Sequence, residues 1–128
     1  MTNSESMEMY LETVLVLENH HGHAHSVDIA NRLGVSKPSV TKAMGYLKGK
    51  GLIHKEAYGS ITLTKKGREL SDKIYKRHRM ITAFLEHSLN LSTKSATDNA
   101  CKIEHVIDKT MTEAISKYLS DHNIELNK

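Results

Sequence analysis

The chain has one cysteine, one proline and no tryptophan among its 128 residues. A single thiol excludes a disulfide framework and any zinc finger built from cysteine pairs, and it suits a reducing, cytoplasmic setting. One proline implies few rigid loops and a mostly helical chain. No apolar run approaches the roughly 18 residues that a membrane span requires, and the opening MTNSESMEMY lacks the basic start and apolar stretch of a secretory signal. What is present is ordinary for a globular protein: 38% apolar residues and 26% charged. The length suits one or two small domains with a core that needs no staples.

The net charge of +3 is unevenly spread. Between Arg32 and Arg68 lie nine basic residues and one acid, Glu56, a local charge of +8 against −5 elsewhere. A basic middle between acidic ends fits contact with an anionic polymer. A solvated lysine face would give the same count, so the local architecture has to decide.

Hydrophobic spacing supplies it. Tyr10, Leu11, Val14, Leu15 and Leu17 recur at helical intervals over residues 5–19. The tract HHGHAH (20–25) breaks that helix. Ser26 is expected to cap VDIANRL, which stops at Gly34. Ser36 is expected to cap a third helix with Pro38 in its first turn. Residues 52–64 read as a hairpin turning at Tyr58, Gly59 and Ser60. A long helix follows over roughly 65–88, with Leu70, Ile74, Ile81, Phe84 and Leu85 buried. Asn90 to Ser95 reads as a loop, residues 96–107 and 109–121 as two more helices, and the last seven residues as frayed.

Helix, short helix, helix, hairpin is the order of a winged helix-turn-helix. The fold class expected is therefore mainly α, with a winged helix-turn-helix DNA-binding domain over 1–72 and a helical domain over 73–128. In such a fold the third helix enters the major groove and the wing meets the backbone. The expected DNA contacts are Ser36, Lys37, Pro38, Ser39 and Lys42 on the helix, with Tyr58 and Ser60 on the wing, while Val40 and Met44 point inward. Short hydroxyls approach base edges or phosphates, Pro38 can meet a thymine methyl, and the lysines reach phosphate. Double-stranded DNA is thus the expected partner, and no membrane is.

A second constellation is Cys101-Lys102-Ile103-Glu104-His105. On a helix Cys101, Glu104 and His105 share one face, and thiolate, carboxylate and imidazole make a metal-ligand set. A buried cysteine beside an ordinary Glu-His pair would give the same triplet. Ile103, Val106 and Ile107 are expected to cover the opposite, buried side. The reversed zinc-peptidase pattern H-x-x-E-H is near, but no downstream glutamate completes it, so the chain reads as a non-enzyme. The histidines at 20, 21, 23 and 25 form a tract that can bind metal.

Taken together, ESMEMYLETVLVL, SVDIANRLGVSKPSVTKAM, GSITLTKKGRE, IYKRHR and ACKIEHVI resemble the metal-dependent repressors of the diphtheria toxin repressor and manganese transport regulator family, in its short two-domain form. The resemblance covers nearly the whole chain. It implies a homodimer that binds operator DNA when loaded with divalent metal and represses metal-uptake genes, with 73–128 as a metal-binding and dimerisation domain. The implied dimer contact is hydrophobic, from Ile103, Val106, Ile107, Met111, Ile115, Tyr118 and Leu119. It places Met9 at a first-helix ligand position, a methionine in iron-type members and an aspartate in manganese-type ones. It places Cys101 where iron-type members have cysteine and manganese-type ones glutamate. Glu104 and His105 match ligands of both types, and Glu12 and His78 match a second metal position of the manganese type. His78 also matches an ancillary iron-type ligand, but two further ancillary positions hold Thr82 and Thr97. Soft sulfur donors favour Fe(II) over Mn(II); Mn(II) is the alternative, and other divalent ions should bind in vitro. The implied mechanism is a clamp, with ligands from the first helix, the long helix and the dimerisation region fixing the DNA-reading heads. A thiol switch at Cys101 without metal is the rival reading, and a metal-buffering role a third.

Overall fold

A computed structural model describes residues 4–56 and 59–126. The elements run α1 (Ser4–His21), β1 (Ala24–His25), α2 (Ser26–Leu33), α3 (Lys37–Gly49), β2 (Ile53–Lys55), β3 (Ser60–Leu63), α4 (Lys65–Leu89), α5 (Thr93–Ile103) and α6 (Lys109–Asp121). The chain forms two compact units, residues 1–72 and 73–128, and the division falls inside α4.

In the first unit the expected apolar stripe of α1 is buried as read, Tyr10, Leu11, Val14, Leu15 and Leu17 together. It packs on α2, α3 and β3. Ile29, Val40, Met44, Leu47 and Ile61 complete this core. Ser36 caps α3 as expected: its Oγ accepts from the Ser39 N–H at 3.2 Å, with Pro38 in the first turn. Gly34 ends α2 in the left-handed conformation, and its N–H donates to the Ala30 carbonyl.

Two readings of this region are corrected. Ser26 does not cap α2; His25 holds the cap position, without a side-chain bond. The histidine tract is more than a break, because Ala24 and His25 form a strand that pairs antiparallel with β3, Ala24 opposite Ile61 and His25 opposite Ser60. The hairpin strands pair as expected, Ile53 with Leu63 and Lys55 with Ile61. The sheet order is therefore β1-β3-β2. The start of α4 is fixed by Thr64, whose Oγ1 donates to the Gly51 carbonyl at 2.6 Å and accepts from the Gly67 N–H at 3.0 Å. Gly67 lies so close to Leu52 that a Cβ there would sit 1.9 Å from the Leu52 carbonyl oxygen. Glu18 pairs with Arg68 and accepts from the Leu63 N–H at 3.1 Å, tying α1 to the last residue of β3.

In the second unit Met80, Ile81, Leu85, Ala96, Ala100, Ile115 and Leu119 form the core. Ile81 and Leu85 were expected there; Phe84 is only partly buried against it. α5 begins three residues earlier than the spacing suggested, because Ser92 caps it by accepting from the Ser95 N–H at 3.1 Å. It also ends earlier, at Ile103 rather than residue 107. Asp108 caps α6 by accepting from the Met111 N–H at 2.8 Å. The segment after α6 is not simply frayed: Asn123 turns left-handed, the Ile124 N–H donates to the Leu119 carbonyl, and Ile124 and Leu126 pack on the core.

Candidate metal centre and nucleic-acid interface

The second unit gathers three of the expected ligands around one carboxylate. Glu104 caps the C-terminus of α5 and is 1% exposed, although it is ionisable. A buried carboxylate is costly unless it is matched by donors or cations. His78, midway along α4, brings Nδ1 to 2.6 Å from Glu104 Oε2. His105 brings Nε2 to 3.0 Å from Glu104 Oε1, so each carboxylate oxygen faces an imidazole. The Cys101 thiol, one turn before Glu104, lies 3.9 Å from His78 Nδ1. One donor atom each from His78, Cys101 and Glu104 falls within a 4.8 Å cluster.

That donor set fits a divalent ion. Carboxylate, imidazole and thiolate together suit borderline metals, and a buried anion beside two imidazoles is what a cation would neutralise. The partial exposure of the cluster, at Cys101, leaves a route in. The helical spacing of Cys101 and Glu104 works as expected, but His105 lies beyond the end of α5 and reaches the carboxylate from the following turn. The same early helix end corrects the expected buried side. Val106 is 59% exposed, and only Ile103 and Ile107 lean on the core.

The ancillary positions behave differently. His78, Thr82 and Thr97 do line one open groove of about 800 Å³, with Tyr75, Arg79 and Glu86. Two of these three are threonines, and the Thr82 hydroxyl is spent on the His78 carbonyl at 2.9 Å. Thr82 and Thr97 bring hydroxyls to this groove in place of carboxylate or imidazole, while Glu86, His87 and Glu125 also line it.

On α1, Met9 is 39% exposed rather than packed in the core, and Glu12 is partly buried. Thr13 Oγ1 donates to the Met9 carbonyl at 2.8 Å. Of the expected dimer residues, Val106 and Met111 are exposed, and Ile103, Ile107 and Tyr118 are partly buried. Ile115 and Leu119 are a correction: both are inside the core of their own unit, where α6 packs, and so are not surface groups.

The first unit presents the other candidate surface. Ser36, Lys37, Pro38, Ser39 and Lys42 are all exposed at the start of α3, while Val40 and Met44 are fully buried. The Ser36 and Ser39 hydroxyls lie 2.8 Å apart, so the cap also presents a pair of hydroxyls to solvent. Eight of the nine basic residues between Arg32 and Arg68 are exposed, and Lys55 is partly so. Ser60 is on β3, partly buried. Tyr58 lies outside the described residues. Sequence reasoning missed the third strand, and only the family resemblance, not local spacing, brought His78 to Glu104. A two-residue strand carries no alternation signal, and no local spacing reports a contact 26 residues apart.

Comparison with known proteins agrees in both units. Residues 3–61 match the family described as iron dependent repressor, N-terminal DNA binding domain. Residues 64–124 match iron dependent repressor, metal binding and dimerisation domain. An HTH-type transcriptional regulator of Methanocaldococcus jannaschii is 32% identical over 117 residues, 91% of this chain and 94% of that protein. The transcriptional regulator MntR of Escherichia coli is 31% identical over 118 residues, 92% and 76% of the two chains. The diphtheria toxin repressor of Corynebacterium glutamicum is 29% identical over 117 residues, and this chain, matched over 91% of its length, spans about half of it, 51%. The solved structure of T. acidophilum IdeR superposes with a TM-score of 0.82 over 93% of this chain and 55% of that one. At 23% identity that likeness speaks to the fold.

Proposed function

The chain belongs to the iron-dependent repressor family, that of the diphtheria toxin repressor and the manganese transport regulator, and from that premise we propose a divalent-metal-dependent transcriptional repressor of metal-homeostasis genes. The observation that carries it is the buried Glu104 carboxylate, faced by His78 and His105 with the Cys101 thiol beside it.

Cys101, Glu104 and His105 would hold the ion, with His78 against the same carboxylate; the family resemblance gives Met9 as a further ligand position, and Glu12 and His78 as a second metal position. When bound, the ion supplies a fixed positive charge that neutralises the carboxylate and a thiolate. Cys101 would bind as the thiolate, its Sγ proton released to solvent, and the imidazoles would bind through a neutral ring nitrogen. The thiol is the reason for assigning Fe(II), since a soft donor suits iron better than manganese. Mn(II) is the second reading, favoured by Glu12 and His78 at the manganese-type positions.

Ser36, Lys37, Pro38, Ser39 and Lys42 present the start of α3 to the major groove of operator DNA, with Ser60 and Tyr58 on the wing. The partner is a second copy of the chain, contacted through Val106 and Met111 with the partly buried Ile103, Ile107 and Tyr118. Two heads must engage successive grooves about 34 Å apart, so loading couples to DNA binding by ordering them. Linkage makes the coupling reciprocal, and operator DNA should tighten metal binding by the same factor.

The test is anaerobic selection of a palindrome from random duplexes with Fe(II), with Mn(II) and with chelator. Enrichment with Fe(II) alone supports the assignment. Enrichment with Mn(II) alone transfers it to manganese. Equal enrichment with chelator removes the metal and leaves a thiol switch at Cys101.

A further inference from the structure

The histidine tract between α1 and α2 is not used by either candidate surface. It places four imidazoles within six residues. His20 and His21 close α1 and are exposed. Gly22 then takes a φ of +81°, a conformation that glycine adopts without penalty, and turns the chain into β1. Ala24 faces the core, 1% exposed. Strand periodicity therefore sends His23 and His25 to the same outer side of the sheet. Their rings meet there, centroids 4.6 Å apart in an edge-to-face arrangement. His20 and His21 form a looser pair at 6.2 Å. Among the described residues none of the four rings takes part in a hydrogen bond or ion pair, and His25 occupies the α2 cap position without capping it.

We propose that His23 and His25 are a second metal site, borne by the first unit and separate from the Glu104 centre. Two imidazoles select by donor type. Imidazole suits nickel, copper and zinc, whereas Mn(II) prefers carboxylate and water. Each ring nitrogen would stand about 2.0–2.1 Å from a zinc ion, so rings sharing an ion must be near neighbours, as these two are. β1 is hydrogen-bonded to β3, so the site binds on the edge of the winged sheet. Occupancy there reports late first-row ions to the unit that carries the reading helix.

The probe is Ni(II) alone, titrated into the full-length chain and into the Cys101→Ser/Glu104→Gln/His78→Gln/His105→Gln variant, in which every donor of the other centre within its unit is removed. The disabled variant should still take up one Ni(II) per chain at micromolar concentration, and Mn(II) should not occupy that site. Adding His23→Gln and His25→Gln should abolish that uptake while the far-ultraviolet dichroism stays unchanged. In the otherwise wild-type chain the same two substitutions should remove one Ni(II) and spare binding at Cys101. Uptake that persists without His23 and His25, or that is lost only with His20→Gln/His21→Gln, overturns the proposal. So does uptake confined to millimolar nickel.

Discussion

The first unit keeps its proposed DNA contacts on the outside of a rigid element, and the second keeps the centre of its proposed metal site inside. Ser36, Lys37, Ser39 and Lys42 are exposed around a capped helix whose opposite face, Val40 and Met44, is wholly buried. Glu104 is 1% exposed and reachable only through its neighbours. The difference is one of electrostatic regime. Exposed lysines act through screened, additive phosphate contacts. A buried carboxylate acts in a low dielectric, where each missing partner is costly. Salt should therefore weaken the first unit's interaction, and acid the second's, because ligands must shed protons to bind metal.

The sharpest way to break the contrast is Glu104→Gln. It removes the anion that both imidazoles face, and metal affinity should fall by at least roughly a hundredfold, measured by competition with a chelating dye. Salt-dependent, metal-independent binding to random DNA should survive in that variant. If it is lost too, the two surfaces are not separable. Gly67→Ala tests the first unit's frame. Its new Cβ would meet the Leu52 carbonyl, and stability should drop by about 3 kcal/mol in urea unfolding. Cys101→Ala should cost about tenfold in Fe(II) affinity but leave the melting temperature in place, since the side chain is exposed. Lys42→Ala should weaken binding to all duplexes alike and reduce the salt slope by about 1, read from binding isotherms at several ionic strengths. Ser36→Ala removes the α3 cap and should cost about 1 kcal/mol of stability, seen in thermal unfolding.

The same contrast explains what could be read from sequence. The α3 surface was legible because its determinants are local: a cap at Ser36, Pro38 in the first turn, and inward positions at Val40 and Met44. The Cys101–Glu104 half of the metal cluster was legible for the same reason, as a helical interval. Its other half was not, because His78 meets Glu104 through the packing of α4 against a distant segment, and only family resemblance pointed to it. The helix end at Ile103 escaped because the apolar spacing of Ile103, Val106 and Ile107 continues past it, while the Asp108 cap starts a new helix. Ile115 and Leu119 were expected at the dimer interface; helical spacing does not say what covers an apolar face, and here Met80, Ile81 and Leu85 share their cluster.

β1 has a consequence beyond geometry. Without it, β3 would offer one open row of amides and carbonyls along the winged sheet, a template for a strand of another molecule. Ala24 and His25 occupy that row opposite Ile61 and Ser60, and a strand of two residues leaves too short an edge to seed further growth. The fold thereby closes that edge of the sheet against pairing with another molecule.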